Sequence, residues 1–130
     1  MASKISALNH YRPRINYAGT VQMRNVVERI ADRTGLNEGE IVLVLFELRD
    51  TIAYFNRLNM GVRLEGLGTF LPNVNYKGEF DVKYFMDTGL KRSLNRPRTN
   101  PHVINHQHIG KSVDQIVALW NAEHPDDPVE

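Results

Sequence analysis

Gly61-Val62-Arg63-Leu64-Glu65-Gly66-Leu67-Gly68-Thr69-Phe70 is where the chain changes its period. Upstream of it, apolar residues recur at helical spacing. From Val62 they alternate instead, with Val62 and Leu64 on one side and Arg63 and Glu65 on the other, the repeat of a half-buried strand. Gly66-Leu67-Gly68 then turns the chain into a second strand, Thr69-Phe70-Leu71. A third strand is expected from Glu79 to Phe85, where Phe80, Val82 and Tyr84 alternate with Asp81 and Lys83. Lys77-Gly78 supplies the turn between the second and third strands. Pro72 has no N–H to give a ladder, so it belongs on an edge or at a bulge.

Working back from this stretch, a first helix is expected from about Thr20 to Thr34. Thr20 would cap it, Met23, Val26, Val27 and Ile30 form its apolar stripe, and Gly35 suits the position past its end. A second helix begins at Asn37-Glu38-Gly39-Glu40, where a cap residue is followed three places on by Glu. Ile41-Val42-Leu43-Val44-Leu45-Phe46 alone reads equally as a buried strand. The periodicity continues through Leu48, Ile52 and Phe55, too long a span for a strand, and decides for helix. Leu43 and Phe46 lie off the Ile41/Val44/Leu45/Leu48 face, so this helix is apolar on two sides and must be covered on two sides. In so short a chain, a second copy is the expected cover.

Working forward, Thr88 to Asn95 reads as a short helix carrying Lys91 and Arg92. Arg96-Pro97-Arg98-Thr99-Asn100-Pro101 has the composition of a linker. A last helix follows, with Ser112-Val113-Asp114-Gln115 as a capping box, Val113, Ile116, Val117 and Trp120 as its apolar face, and Pro125 as its stop. The first sixteen residues have weak periodicity and read as an arm or a lead-in strand. The expected division is an N-terminal arm over 1–16, a main domain over 17–98, and a linker with a C-terminal helix and acidic tail over 99–130.

Composition narrows the function. The 130 residues fit one domain and are 42% hydrophobic, enough for a core. With no cysteine, disulfides, thiolate metal sites and a cysteine nucleophile are excluded. No apolar run has the length of a signal peptide core or a membrane span, so the expected location is cytoplasmic. The net charge of +1 hides an asymmetry. Tyr11 to Arg98 holds 14 basic against 10 acidic residues, and Thr99 to Glu130 one basic against five acidic. Ser3, Ser6, Ser93 and Ser112 lie in no nucleophile-elbow setting, and the carboxylates are scattered along helices among basic neighbours. The chain reads as a binding module, not an enzyme, with no cofactor or small-molecule substrate implied.

The order of two helices, a strand, Gly66-Leu67-Gly68-Thr69-Phe70, another strand and a basic helix resembles the bacterial HU/IHF family of architectural DNA-binding proteins. The Gly61-to-Phe70 stretch is similar to that family's Gly-x-x-Val-x-(Leu/Ile)-x-Gly-Phe-Gly-x-Phe segment, with Leu67 in place of the usual Phe. Val26-Val27-Glu28-Arg29-Ile30-Ala31 and the turn from Gly35 to Glu40 fall where the family has its first helix and turn. The resemblance covers about Thr20 to Asn95. It implies an α+β fold of two helices, a small antiparallel three-stranded sheet and a short basic helix, with the C-terminal helix as an addition. It also implies an intertwined homodimer, with Val44, Leu45, Leu48, Ile52, Phe55 and Phe70 at the interface, and a nucleoid-associated role in the cytoplasm.

Family members bend DNA with long arms that reach into the minor groove and insert a proline wedge. This sequence departs from that pattern. Only Leu71 to Glu79 joins the strands, and Asn73 and Asn75 stand where arginines are usual. The implied activity is therefore largely sequence-independent DNA binding through phosphates, with weak bending and no wedge at the hairpin tip. Lys91, Arg92, Arg96 and Arg98 are the expected primary contacts, and Lys77, Lys83, Asn73 and Asn75 the secondary ones. The rival reading is a dimeric protein-interaction or assembly module of the same fold without significant DNA binding, favoured by the near-neutral total charge. His102, His106 and His108 lack a nearby carboxylate or cysteine and read as loop histidines, so no metal site is expected. Gly110-Lys111-Ser112 lacks the upstream glycine of a phosphate-binding loop, Asn105 standing there instead.

Overall fold

The computed structural model describes residues 1–97 and 102–130. Along the chain run α1 (Lys4–Tyr11), β1 (Arg14–Ile15), α2 (Met23–Thr34), α3 (Glu38–Arg57), β2 (Val62–Leu64), β3 (Gly68–Val74), β4 (Phe80–Met86), α4 (Thr88–Leu94), β5 (Val103–Ile104), a 3-10 turn (His106–His108) and α5 (Val113–Glu123). They form two compact units: Met1–Thr20 with Thr99–Glu130, and Val21–Arg98. Among the described residues, no helix is long and apolar enough to cross a membrane.

The Val21–Arg98 unit is α+β, with α2 and α3 beside the antiparallel sheet β2-β3-β4. α2 starts at Met23, later than the Thr20 expected from sequence. Gln22 takes the cap position, with its N–H donating to Asn25 Oδ1 at 3.4 Å and its carbonyl accepting from Asn25 N–H at 3.0 Å, leaving Thr20 outside the helix. Gly35, with φ of 74°, ends it by donating to the Ala31 carbonyl at 2.8 Å. Asn37 caps α3 by accepting from Gly39 N–H at 2.8 Å. The other end of α3 closes without glycine: Asn59 takes the left-handed conformation at φ 61°, and Met60 N–H reaches back to the Phe55 carbonyl. Buried Asn56 then ties the helix to the sheet, its Nδ2 donating to the carbonyls of Met60 at 3.0 Å and Phe70 at 3.3 Å.

Sheet register follows the period read from sequence, with Val62 opposite Phe70 and Phe70 opposite Tyr84. Gly68 has φ of 150°, and a Cβ there would lie 2.4 Å from the Phe85 carbonyl oxygen and 2.5 Å from the Tyr84 ring. The tightest approach in the hairpin thus falls on the second glycine of the Gly66-Leu67-Gly68 motif. β2 ends opposite Phe70, so beyond that residue β3 pairs with β4 alone. Pro72 lies there, on a locally unpaired edge of a strand that is central further along.

The other unit draws on both ends of the chain. The first sixteen residues are not an arm or strand in the main: Lys4–Tyr11 is helical, with Ser3 Oγ accepting from Ser6 N–H at 3.1 Å. Its burial rests on Ala7 and Tyr11 alone, while Ile5 stays exposed, so it leaves no apolar stripe in the sequence. α1 packs on α5 around Ala7, Tyr11, Ile116 and Val129. β1 pairs antiparallel with β5, Arg14 opposite Ile104 and Ile15 opposite Val103. The capping box at Ser112 and Gln115 is present. Beyond Pro125 the chain folds back: Trp120 Nε1 donates to the Asp127 carbonyl at 2.8 Å, and Asn121 exchanges two hydrogen bonds with the Val129 backbone.

Gly68→Ala is expected to destabilise the Val21–Arg98 unit by about 3 kcal/mol, because backbone and ring must both retreat from the new methyl group. Gly66→Ala, where a Cβ meets nothing within 4 Å, carries only the cost of its φ of 82° and should lose about 1 kcal/mol. Urea denaturation of the two variants measures the difference.

Candidate nucleic-acid interface

The two faces of the β2-β3-β4 sheet are chemically distinct, and the register decides which residues each presents. One face carries Val62, Leu64, Phe70, Val74, Phe80, Val82, Tyr84 and Met86. Phe70 and Tyr84 pack ring to ring at 5.2 Å, and the Tyr84 hydroxyl donates to the Leu67 carbonyl at 2.6 Å. Towards the hairpin this face opens into a groove beside the end of α3, walled by Ala53, Arg57, Val74, Phe80 and Val82. The opposite face has Arg63, Thr69 and Phe85 in one row, Leu71 and Lys83 in the next, and Asn73 with Asp81 beyond.

Arg63 is the cation that sequence reading missed. It sits inside the motif that decided the fold, yet only the pairing of Arg63 with Thr69, and Thr69 with Phe85, places it on the face that also bears Lys83. Its own strand already showed the signal, since Arg63 alternates away from Val62 and Leu64. Both cations are exposed, with exposed Phe85 and Leu71 between and beside them. Such a surface offers charge for phosphates and apolar area for sugar or base contact.

The other expected contacts lie elsewhere in the unit. Lys91 and Arg92 occupy the last turn of α4, where cations also complement the helix dipole. Asp87 caps this helix by accepting from Gly89 N–H at 2.8 Å, and Arg96 follows it, exposed. Arg98 lies outside the described residues. Among the described residues, the ion pairs are Met1 N–Asp127 and Arg49–Asp50, so none of Arg63, Lys83, Lys91, Arg92 and Arg96 is committed to a carboxylate.

At the hairpin tip, Asn75 is already engaged. Its Oδ1 accepts from the backbone N–H of Lys77 at 2.9 Å and of Glu79 at 3.0 Å, and its Nδ2 donates to Glu79 Oε2 at 3.1 Å. With Gly78 at φ 81°, this fixes a tight loop that holds Tyr76 fully exposed beside Lys77. The tip therefore carries an exposed aromatic side chain and no proline.

The expected interface residues do present uncovered apolar area. Val44 is 63% exposed and Phe55 39%, while Leu45, Leu48, Ile52 and Phe70 are half-buried. Leu43, Phe46 and Tyr54 extend the exposed surface along α3. Of the three histidines grouped by sequence, His102 and His106 are exposed. His108 instead packs against the Tyr11 ring, its centroid 5.0 Å away. No group of three or more potential ligands that could hold a metal ion occurs among the described residues.

Residues 3–93 match the family model described as "HU domain fused to wHTH, Ig, or Glycine-rich motif". The match takes in α1 and β1 as well as the α2-to-α4 region, and leaves α5 outside. An HU mutant V42I from Thermotoga maritima is a similar solved structure, with a TM-score of 0.49 and 17% identity, covering 58% of this chain and 100% of that one. No curated protein matches the chain.

Asn75→Ala should cost about 1 kcal/mol and speed exchange of the Lys77 and Glu79 amides, because three hydrogen bonds of the turn are lost. Asn73→Ala should leave both unchanged. Denaturant titration and amide exchange distinguish the structural asparagine from the free one.

Proposed function

Because the chain belongs to the family of HU domains fused to winged-helix, immunoglobulin-like or glycine-rich motifs, we propose that it is a homodimeric, nucleoid-associated DNA-binding protein of the bacterial cytoplasm. It binds duplex DNA largely without regard to sequence, through phosphate contacts, and bends it weakly. The observation that carries this reading is the outer face of the sheet, where Arg63 and Lys83 stand exposed and free of ion pairs among the described residues. Lys91, Arg92, Arg96 and Arg98 extend the set of phosphate contacts, Lys77 and Asn73 add to it, and Asn75 serves mainly by shaping the tip. The paired arm beyond the end of β2 runs only from Leu71 to Val74 against Phe80 to Lys83, too short to wrap a duplex.

A second reading has its own observation. Phe80 is 81% exposed, and Val82, Tyr84 and Met86 of the same face are also open to solvent. More apolar surface is uncovered than a soluble monomer ordinarily tolerates, which suits a dimer of either function and also an assembly module.

Dimerisation is read most cleanly at Val44. A charge there costs an isolated chain little, since the side chain is mostly exposed. In a dimer that buries it, Val44→Asp leaves an unpaired charge in an apolar interface and should cost several kcal/mol. Light scattering should give a dimer for the native chain and a monomer or unfolded chain for the variant. A well-folded native monomer of 14.9 kDa would exclude the dimer.

DNA binding is tested by titrating a short fluorescent duplex at several salt concentrations. Each neutralised phosphate contributes about 0.9 to the slope of log affinity against log salt. Lys91→Ala with Arg92→Ala should flatten the slope by about 2 and weaken all sequences alike, and Arg63→Ala with Lys83→Ala should do the same. End-to-end energy transfer on the duplex should report little bending. Absence of binding in low salt would hand the case to the assembly module.

A further inference from the structure

The unit built from the two chain ends holds a cluster of ionisable side chains that DNA binding does not use. Tyr11 of α1 is buried, and its hydroxyl donates to Glu123 Oε2 of α5. Burial first, and then this carboxylate, push the phenol up to about 12, so Tyr11 stays a donor throughout the neutral range. Three imidazoles surround the pair. His10 stands edge-on to Tyr11 at 4.7 Å between ring centroids, to Trp120 at 5.5 Å and to His124 at 5.7 Å. His124 stacks on Trp120 at 3.8 Å, with Nδ1 3.2 Å from the Trp120 carbonyl. His108 lies against Tyr11 from the 3-10 turn, and its Nδ1 is 3.0 Å from Lys111 Nζ.

That last contact defines a protonation state. An ammonium has only protons to offer, so Nδ1 of His108 must accept, and the ring must be neutral. Protonating it places two cations in contact. The groups facing it are His10 and Tyr11 from α1, Lys111 from the loop before α5, and Glu123 from α5, with His124 beyond His10. Glu123 is the only carboxylate among them, and Tyr11 already holds one of its oxygens.

We propose that this cluster is a proton-sensitive staple: neutral His108 pins Tyr11 of α1 beside α5, and its protonation on mild acidification releases the two helices while the Val21–Arg98 unit stays folded. The geometry makes release selective. The fully buried core of this unit is four residues, with Ala2, Leu8, Val117, Leu119 and Trp120 partly buried against it, and the β1–β5 ladder is two residues long, a small core to set against the cluster. The sign follows from His108, which partial burial, then Lys111, and also His10 hold below its ordinary value of 6.5, against an opposing pull from Glu123. Below that value the unfolded chain takes a proton that the folded unit resists, so stability falls as pH drops.

The test is amide exchange of the full-length chain between pH 7.5 and 5.0, corrected for intrinsic exchange rates. Protection of α1 and α5 should fall by up to about tenfold per pH unit as the pH drops below 6.5, while α3 and β3 hold theirs. Trp120, the only tryptophan, gives a parallel fluorescence signal. Because His124 stacks on that ring, exchange is the deciding readout. His108→Gln removes the titrating ring, and Lys111→Gln removes the fixed cation beside it. Each should shrink the pH dependence of α1 and α5, and the second retains the ring packing on Tyr11 should the first disturb it. Constant protection of α1 and α5 across this range overturns the staple. So does a loss shared equally by α3 and β3, or a dependence that both variants leave intact.

Discussion

Where β4 passes Gly68, the Phe85 carbonyl and the Tyr84 ring occupy the space a side chain would need. At the other end of the same hairpin, Asn75 and Gly78 fix a loop of one length. Between these two constraints β3 and β4 have a single register, and the chemistry of the sheet follows from it. Side chains alternate with a period of two, so a slip of one residue would turn Phe80, Val82 and Tyr84 outward and bring Lys83 and Asp81 against α3. The glycine matters less for flexibility than for deciding which face is apolar and which carries Arg63 and Lys83.

That apolar face and the long flank of α3 share a deficit. A 20-residue helix with Leu43, Val44 and Phe46 open to solvent, beside a sheet with Phe80 and Val82 open, is half of a core. Burial of apolar area contributes about 25 cal/mol per Å2, and among the described residues of this unit only the side chains of Val27, Ile41 and Asn56 are buried. The proposed self-association and the proposed DNA binding would be coupled through this deficit, since the surface that offers cations is held in shape by the surface that lacks cover.

Much of this was legible in the sequence, for physical reasons that differ by element. The Ile41-to-Phe46 run was ambiguous alone, but Leu48, Ile52 and Phe55 kept helical phase long enough to settle it. The strands declared themselves by alternation, and Ser112 with Gln115 marked the start of α5. What stayed hidden depends on contacts distant along the chain. α1 is held by Ala7 and Tyr11 against Ile116 and Val129, so it has no periodic stripe of its own. Arg63 was in plain view, yet its partnership with Lys83 exists only once three strands are aligned. His108 was grouped with His102 and His106 by proximity in sequence, whereas the fold sets it beside Tyr11 and His10.

The discontinuous unit also has a consequence for the order of events during synthesis. α1 leaves the ribosome before the Val21–Arg98 region, but its packing surface, α5, is made after the whole of that region. Domains generally fold as they emerge, at roughly 5–20 residues per second. The α2-to-α4 region therefore has seconds in which to fold while α1 has nothing to pack against. An eight-residue helix is not stable alone in water. α1 must wait, unstructured, for α5, and the two helices meet only after the sheet between them in sequence is built.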